Sequence, residues 1–269
     1  STSIVRYPSK YDVQRQHNLS ANMEEMVMKN SAFFGQTVLR CTFILALVGW
    51  GVGFYGPPIY MQAVMDRTGW PIALVSTAVT LHFLSGTVVI ANLPRIYTRF
   101  GVPAVTLLGS FVLGVGVNLW AQANQPWVLY AGAICSGIGW VTLGATAVNT
   151  LISPWYIKER PKALSKAYNG ASLGGVIFSP LWVFLIERFG FGMAALVISL
   201  TAVVLMGSLA FLVFNKTPQS LGQHPDHADQ PEPVPISASA TPWTAMQTLR
   251  SASFRTLAAG MSLGLFAQI

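Results

Sequence analysis

Charge is what this sequence has least of. Only 9% of its 269 residues are Asp, Glu, Lys or Arg, whereas a water-soluble domain carries roughly a quarter, so a solvated surface around an ordinary core is excluded. Cysteine is nearly absent too. Cys41 and Cys135 both fall inside apolar runs, which excludes a secreted disulfide framework and reads them as small packing residues. Residues 1–36 lack the apolar core that a cleavable signal needs, so this tail is expected to stay in the cytoplasm. Strict apolar and polar alternation, the mark of barrel strands, is missing as well.

What is present is apolar length. Apolar residues make up 52% of the chain, and the mean hydropathy is +0.51. Six segments, at 38–64, 72–93, 103–121, 127–153, 167–187 and 192–214, each reach the length of about 18 residues that crosses a hydrocarbon core of about 30 Å. Backbone polar groups must be satisfied within lipid, so these runs predict helices and an all-α polytopic membrane protein. A seventh run begins near Leu257. The chain starts with Ser and stops at Ile269 within that run, so the sequence is expected to be a piece of a longer protein with its seventh helix cut short.

The scarce positive charge is sorted. Of the sixteen Lys and Arg residues, fourteen lie in the tail (Arg40 included), the second and fourth connections and the region after segment six, leaving only Arg67 and Arg188 for the other connections. That asymmetry predicts a plasma-membrane protein with its N-terminus and central linker in the cytoplasm. The expected organisation is a tail over 1–36, a six-helix bundle over 37–214, a linker with a short interfacial helix over 215–256, and the start of a seventh helix over 257–269.

The densest basic stretch reads WYIKERPKALSKAYNGASLGG, residues 155–175, with Lys158, Arg160, Lys162 and Lys166 in nine positions. Lying between two spans, it is a topological anchor in contact with lipid phosphate, and no nucleic-acid partner is expected. Nor is its glycine run a P-loop, for it lacks the Gly-Lys-Ser/Thr ending. Gly170 and Gly174, with Ala171 and Gly175, instead stand four apart, a spacing that lets helix backbones approach. Segment four carries the matching row Ala131, Cys135 and Gly139, which predicts that these two helices pack together.

Trp70, Trp120, Trp127, Trp155 and Tyr156 fall at segment ends, where amphipathic rings form interfacial belts. Residues 215–242 hold six prolines and read as a disordered linker in which His224 and His227 are solvated. Thr241 and Pro242 then resemble a cap opening a short interfacial helix. Glu187 beside Arg188 reads as an interfacial ion pair.

Six spans, a long linker expected in the cytoplasm and the start of a further bundle resemble the N-terminal half of a major facilitator superfamily transporter, and within it the monocarboxylate transporter and oxalate/formate antiporter branch. The stretches that carry the resemblance are GWGVGFYGPPIY, TGWPIALVSTAVT, the basic stretch quoted above and TPQSLGQHPD, spread over residues 38–226. The resemblance implies a secondary transporter with a midplane site between two six-helix halves, the second of which is missing here. One departure stands out. The superfamily's G-x-x-x-D-R/K-x-G-R-R/K gate loop reads PRIYTRFGVP, with Arg95, Arg99 and Gly101 kept but Thr98 at the Asp and Val102 and Pro103 at the final basic pair. A charge-paired gate is therefore in doubt, and Arg99 can serve as a lipid-phosphate contact instead.

Ionisable residues inside spans are functional candidates because burying their charge is costly. His82, near the middle of segment two, is the one that stands out, either as a proton-coupling group or as a neutral histidine bonded to a neighbouring helix. Gly49, Gly51, Gly53 and Gly56 followed by Pro57 and Pro58 predict a kinked or unwound outer third of segment one. Because segments one and four line the pathway in the superfamily, Tyr55, Tyr60, Trp140 and Asn149 are wall candidates, joined by Tyr168 and Asn169 at the start of segment five. Asn149 and Asn169 are also placed to hydrogen-bond across helices. The expected cargo is a small organic anion, a mono- or dicarboxylate, moved by alternating access with protons or by exchange. A drug or metabolite exporter of the same superfamily is the alternative, with a non-transporting sensor or a membrane enzyme behind it. No cofactor or metal site is read.

Overall fold

Six apolar helical segments follow one another as the hydropathy pattern requires, and several run well past the apolar stretch that marks them. The computed structural model describes residues 33–227 and 245–266; the first part of the tail and the Thr241-Pro242 cap lie outside the described residues. Two compact units are present, Ser1–Asp229 and Gln230–Ile269.

In the first unit, span 1 is a pair of helices, α1 (Gly35–Gly53) and α2 (Gly56–Thr68). Span 2 is α3 (Ile72–Phe100) and span 3 is α4 (Val102–Gln122). Span 4 is again a pair, α5 (Pro126–Val141) and α6 (Ala145–Ile152). Span 5 is α7 (Arg160–Phe189), and span 6 is α8 (Phe191–Leu209) ending in a π-helical turn, Ala210–Phe214. All six spans are long and apolar enough to cross a membrane, and no strand occurs among the described residues. The fold is all-α and polytopic. Hydropathy marks the lipid-immersed length only, whereas α3 continues through Pro94 to Phe100 and α7 already begins at Arg160.

The two ends of the bundle are distinct. At one, Phe33 packs edge-on against Trp155 and Tyr156, with ring centroids 6.1 and 5.6 Å apart, and the Phe34 amide donates to Gln223 Oε1 at 3.0 Å. This basic end thus gathers the start of span 1, the connection between spans 4 and 5, and the exit from span 6. At the other end Arg67 donates to Asn124 Oδ1 (3.0 Å) and to the Ala123 carbonyl (2.8 Å). Single glycines turn the chain between α3 and α4 (Gly101, φ 78°, ψ 152°) and between α7 and α8 (Gly190, φ 80°, ψ 158°), a backbone region that residues with a Cβ hardly enter.

Helix partners differ from those expected. Gly170 and Gly174 face span 1, not span 4: a Cβ on Gly170 would strike the Phe43 carbonyl oxygen, and one on Gly174 would lie 2.5 Å from that of Leu47. Of the row on span 4, Gly139 packs on span 3, against the backbones of Leu113 and Gly109. Small residues permit close approach without naming the partner. Three of the expected belt residues, Trp120, Trp155 and Tyr156, are core residues. Trp127 is exposed, but Trp120 and Trp155 are 0% and 2% exposed, and Trp120 Nε1 donates to Ser136 Oγ at 3.2 Å. An indole that finds a buried acceptor gains more area inside the bundle than at its rim. Glu187 and Arg188 are both exposed without an ion pair between them, since adjacent residues on a helix do not face each other.

The exit from span 6 is ordered through residue 227, where a linker was expected. Two short 3₁₀ turns, Gln219–Leu221 and Pro225–His227, carry it back onto the basic end. There Asp226 accepts the amide N–H groups of Ile157 (3.0 Å), Lys158 (2.7 Å) and Glu159 (3.3 Å), and its own amide donates to the Trp155 carbonyl at 2.9 Å. A carboxylate from the segment after span 6 thereby holds the turn that leads into α7, its charge beside that helix's N-terminus. In the second unit α9 (Ala245–Arg250) and α10 (Ala252–Phe266) are parted at Ser251, whose hydroxyl accepts the Phe254 amide at 3.2 Å and caps α10.

Candidate functional site

The break in span 1 follows from its prolines. Pro57 has no N–H for the Gly53 carbonyl, and the Phe54 and Tyr55 amides both turn to the Trp50 carbonyl, at 3.0 and 2.9 Å, so the carbonyls of Gly51, Val52 and Gly53 lose their helical donors. Each finds a side chain instead. Trp182 Nε1 donates to Gly51 (3.3 Å), Tyr60 Oη to Val52 (2.8 Å), and His82 Nε2 to Gly53 (2.9 Å). Donors from span 5, the outer part of span 1 and span 2 thus hold the unwound turn open.

His82 is wholly buried. Since the Gly53 carbonyl can only accept, Nε2 carries the hydrogen, and Nδ1 accepts from the Ser136 hydroxyl at 2.8 Å. Both ring nitrogens are satisfied, as a neutral histidine bonded to neighbouring helices requires. Ser136 Oγ also lies 3.1 Å from the Ala133 carbonyl, a second acceptor for its hydrogen. Trp140 stacks on the His82 ring, with centroids 5.8 Å apart and planes at 24°, and packs against Phe54 and Phe83. The buried Trp140 indole N–H has no partner among the described residues.

Span 4 is broken as well, without a proline to announce it. Between α5 and α6 the chain passes through Thr142, Leu143 and Gly144 in i→i+3 bonds, and Tyr97 Oη of span 2 donates to the freed Thr142 carbonyl at 3.3 Å. This break abuts span 1. A Cβ on Gly49 would lie 2.7 Å from the Leu143 carbonyl oxygen, and one on Gly53 would strike the Trp140 ring. Glycine at both positions lets the two interrupted spans touch.

Beside the breaks runs a polar and aromatic strip. Asn149 Nδ2 donates to Tyr168 Oη at 2.8 Å, Tyr168 donates to the Ala145 carbonyl at 3.2 Å, and Trp50 meets Tyr168 edge-on with centroids 6.1 Å apart. Farther along, Tyr55 packs over Gly175, where a Cβ would sit 2.7 Å from the ring. Tyr55, Trp140, Asn149 and Tyr168 are all partly accessible. Trp50 joins them although its place in GWGVG did not single it out.

Two expected wall residues sit elsewhere. Tyr60 is 1% exposed, packed against Trp182, Phe191 and Trp120 at 4.8, 5.4 and 6.0 Å; its hydroxyl is drawn inward by the freed Val52 carbonyl. Asn169 points outward and makes no hydrogen bond among the described residues, so only Asn149 bonds across helices. Arg95 and Arg99 are exposed, and among the described residues neither has an acidic partner; Arg99 lies over the Phe100 ring at 5.2 Å. Among the described residues no three of His, Cys, Asp and Glu come together.

Comparison with known proteins places this geometry. The family model for the Major Facilitator Superfamily matches residues 41–269. The chain is 37% identical over 98 residues to MFS-type transporter 1 of Ophiocordyceps sp., covering 36% of this chain and 22% of that protein. It is 26% identical over 201 residues to the Fujikurins efflux protein of Gibberella fujikuroi, covering 73% and 40% respectively. With Monocarboxylate transporter 11 of Mus musculus it shares 29% identity over 102 residues, 38% of this chain and 23% of the other. The chain thus spans only a part, 22% to 40%, of the length of these relatives. With six spans, two of them interrupted side by side, and a family match over most of its length, the chain belongs to the Major Facilitator Superfamily.

Proposed function

We propose that the chain supplies one six-helix wall of a secondary active transporter in the plasma membrane, with the basic end in the cytoplasm and a second bundle as the other wall. Its cargo is a small organic anion, a mono- or dicarboxylate, moved by alternating access. The observation that carries this reading is the paired interruption of spans 1 and 4. Unwound backbone inside a membrane is tolerated where it is enclosed by protein or lines a cavity, and such half-helices form the binding sites of many carriers.

Three features support an anionic cargo. The Trp140 indole N–H is a buried donor without a partner, an arrangement that an oxygen-rich substrate satisfies when the wall opens. Asn149 and Tyr168 supply further polar atoms on the same wall. One of the relatives is named as a monocarboxylate transporter.

His82 is the coupling residue in this reading. On protonation Nδ1 becomes a donor to Ser136 Oγ, and the Ser136 hydroxyl turns to the Ala133 carbonyl, so the proton is taken up without an unsatisfied group.

A second reading is an exporter of larger organic molecules. A relative named as an efflux protein supports it, as does a wall of Trp50, Phe54, Tyr55 and Trp140 without a cation. Reconstitution of the whole carrier in vesicles separates the two: a proton gradient should drive accumulation of radiolabelled carboxylates. Extrusion of a lipophilic dye with no carboxylate flux would decide for the exporter.

A further inference from the structure

At the basic end, away from the broken spans, α1 and the start of α7 enclose a cavity of about 400 Å³. That is within the range of roughly 300–1,000 Å³ found for small-molecule sites. Gln36 and Arg40, one turn apart on α1, face Lys162 and Lys166, one turn apart on α7, while Tyr156 and Asp226 close the rim. Five ionisable residues besides the tyrosine share this space, so the charge balance decides what it can hold.

The acids are already committed. Asp226 accepts three backbone amides, and Glu159 pairs with Lys162 at 2.9 Å. Arg40 and Lys166 have no acidic partner among the described residues. Three cations against two carboxylates line the cavity, and the two cations without an ion-pair partner among the described residues, Arg40 and Lys166, come from two helices. The Tyr156 phenol is kept protonated, since burial pushes its pKa up and the negative charge of Asp226 adds to the effect. It therefore faces the space as a neutral hydroxyl, and the Gln36 amide offers further donors.

We propose that this cavity binds a phosphate ester, its oxygens held between Arg40 and Lys166, with Gln36 and Tyr156 as neutral donors. Donors approaching from both helices suit a tetrahedral anion with several acceptor oxygens better than a planar carboxylate, which presents two. The volume exceeds what a bare ion fills, so an esterified phosphate such as a glycerophospholipid headgroup fits. The site differs from the transport pathway in place and in ligand. The segment that follows span 6 builds its rim through Asp226, which ties that segment's order to the site's shape.

The test uses the full chain in detergent with three probes: phosphatidylglycerol, phosphatidylcholine and inorganic phosphate. Thermal unfolding should shift upward with phosphatidylglycerol, and the shift should vanish in Arg40→Gln/Lys166→Gln while persisting in the control Arg188→Gln/Lys216→Gln. An equal shift with inorganic phosphate identifies a soluble phosphate compound as the source; a shift with phosphatidylglycerol alone identifies lipid. A second measurement needs no variant: acylation of Lys166 in the wild-type chain should slow about tenfold at a ligand concentration ten times Kd, with Lys216 unaffected. Absence of any phosphate-dependent shift, a shift that survives in the double variant, or unprotected Lys166 overturns the proposal.

Discussion

His82 Nε2 lies 2.9 Å from the Gly53 carbonyl oxygen, the group that Pro57 leaves without a helical donor. The side chain of span 2 thus takes the role of a backbone amide in span 1, and the two residues should be energetically coupled through the proline. Replacing His82 with Ala strands the Gly53 carbonyl, a buried polar group whose loss of a partner costs about 1–3 kcal/mol, while Ser136 keeps Ala133 and Trp120. Pro57→Ala returns an N–H to the chain. The double variant should therefore be less impaired than the sum of the single ones by about 0.5–3 kcal/mol, measured as unfolding in detergent. Strict additivity would show that the bond does not substitute for the helical one.

Gly170 and Gly192 form a matched pair of probes. A side chain at Gly170 has to displace the backbone of span 1 at Phe43, whereas one at Gly192 meets nothing within 4 Å. Gly170→Val should destabilise by at least the ~1–3 kcal/mol typical of overpacking. Gly192→Ala should be neutral, or stabilise by up to about 1 kcal/mol through helix propensity. Similar melting temperatures for the two variants would refute the packing of span 5 on span 1.

Those glycines also show what a sequence can carry. That close packing occurs at Gly170 and Gly174 was legible, because four-residue spacing of small side chains has one consequence for a helix surface. Which helix fills the groove was not, because that depends on every other contact in the bundle. The two breaks make the same point: the Pro57-Pro58 pair removes donors by covalent structure, so the interruption of span 1 could be read directly. At Thr142 to Gly144 no residue forbids a helix, and the turn exists because Tyr97 and Gly49 accommodate it from other spans. The first part of the expected linker, through residue 227, differs for a related reason. Its proline and glycine content argues for a linker, while its order rests on one carboxylate meeting three amides.

That carboxylate supports a local prediction. Asp226 holds the turn that leads into α7, so Asp226→Ala should weaken that turn by about 1.5–3 kcal/mol, the value of hydrogen bonding to a charged group. Hydrogen exchange should rise at Ile157, Lys158 and Glu159 and stay unchanged in the middle of α7. Unaltered exchange at these three amides would remove Asp226 from that role.

The topology can be tested at two residues that the bundle holds at opposite ends. Arg67 reaches Asn124 and Ala123, while Lys162 lines the cavity beside Tyr156 and Asp226. Single cysteines in place of Arg67 and Lys162, in a background without Cys41 and Cys135, should react with a membrane-impermeant maleimide from opposite sides. The proposed orientation places Lys162 on the cytoplasmic side, so intact cells should label only the cysteine at position 67 and inverted vesicles only that at 162. Labelling of both from one side would contradict six crossings of the layer, while an exchange of the two patterns would keep the fold and reverse its orientation.

Asn149 and Tyr168 offer the sharpest separation of structure from transport. Their 2.8 Å bond joins spans 4 and 5 on the wall assigned to the substrate, and Tyr168 keeps a second acceptor in the Ala145 carbonyl. Tyr168→Phe deletes both bonds but retains the ring that packs on Trp50, whereas Asn149→Leu removes the amide and leaves the Tyr168 hydroxyl its bond to Ala145. If the pair only ties helices together, both variants should melt lower and transport normally per folded molecule. If the wall binds substrate, Asn149→Leu should raise KM about tenfold, the equivalent of one lost hydrogen bond of about 1.4 kcal/mol. Such a rise in KM with an unchanged melting temperature cannot come from packing, because a packing defect lowers the amount of folded carrier before it alters the affinity of what remains.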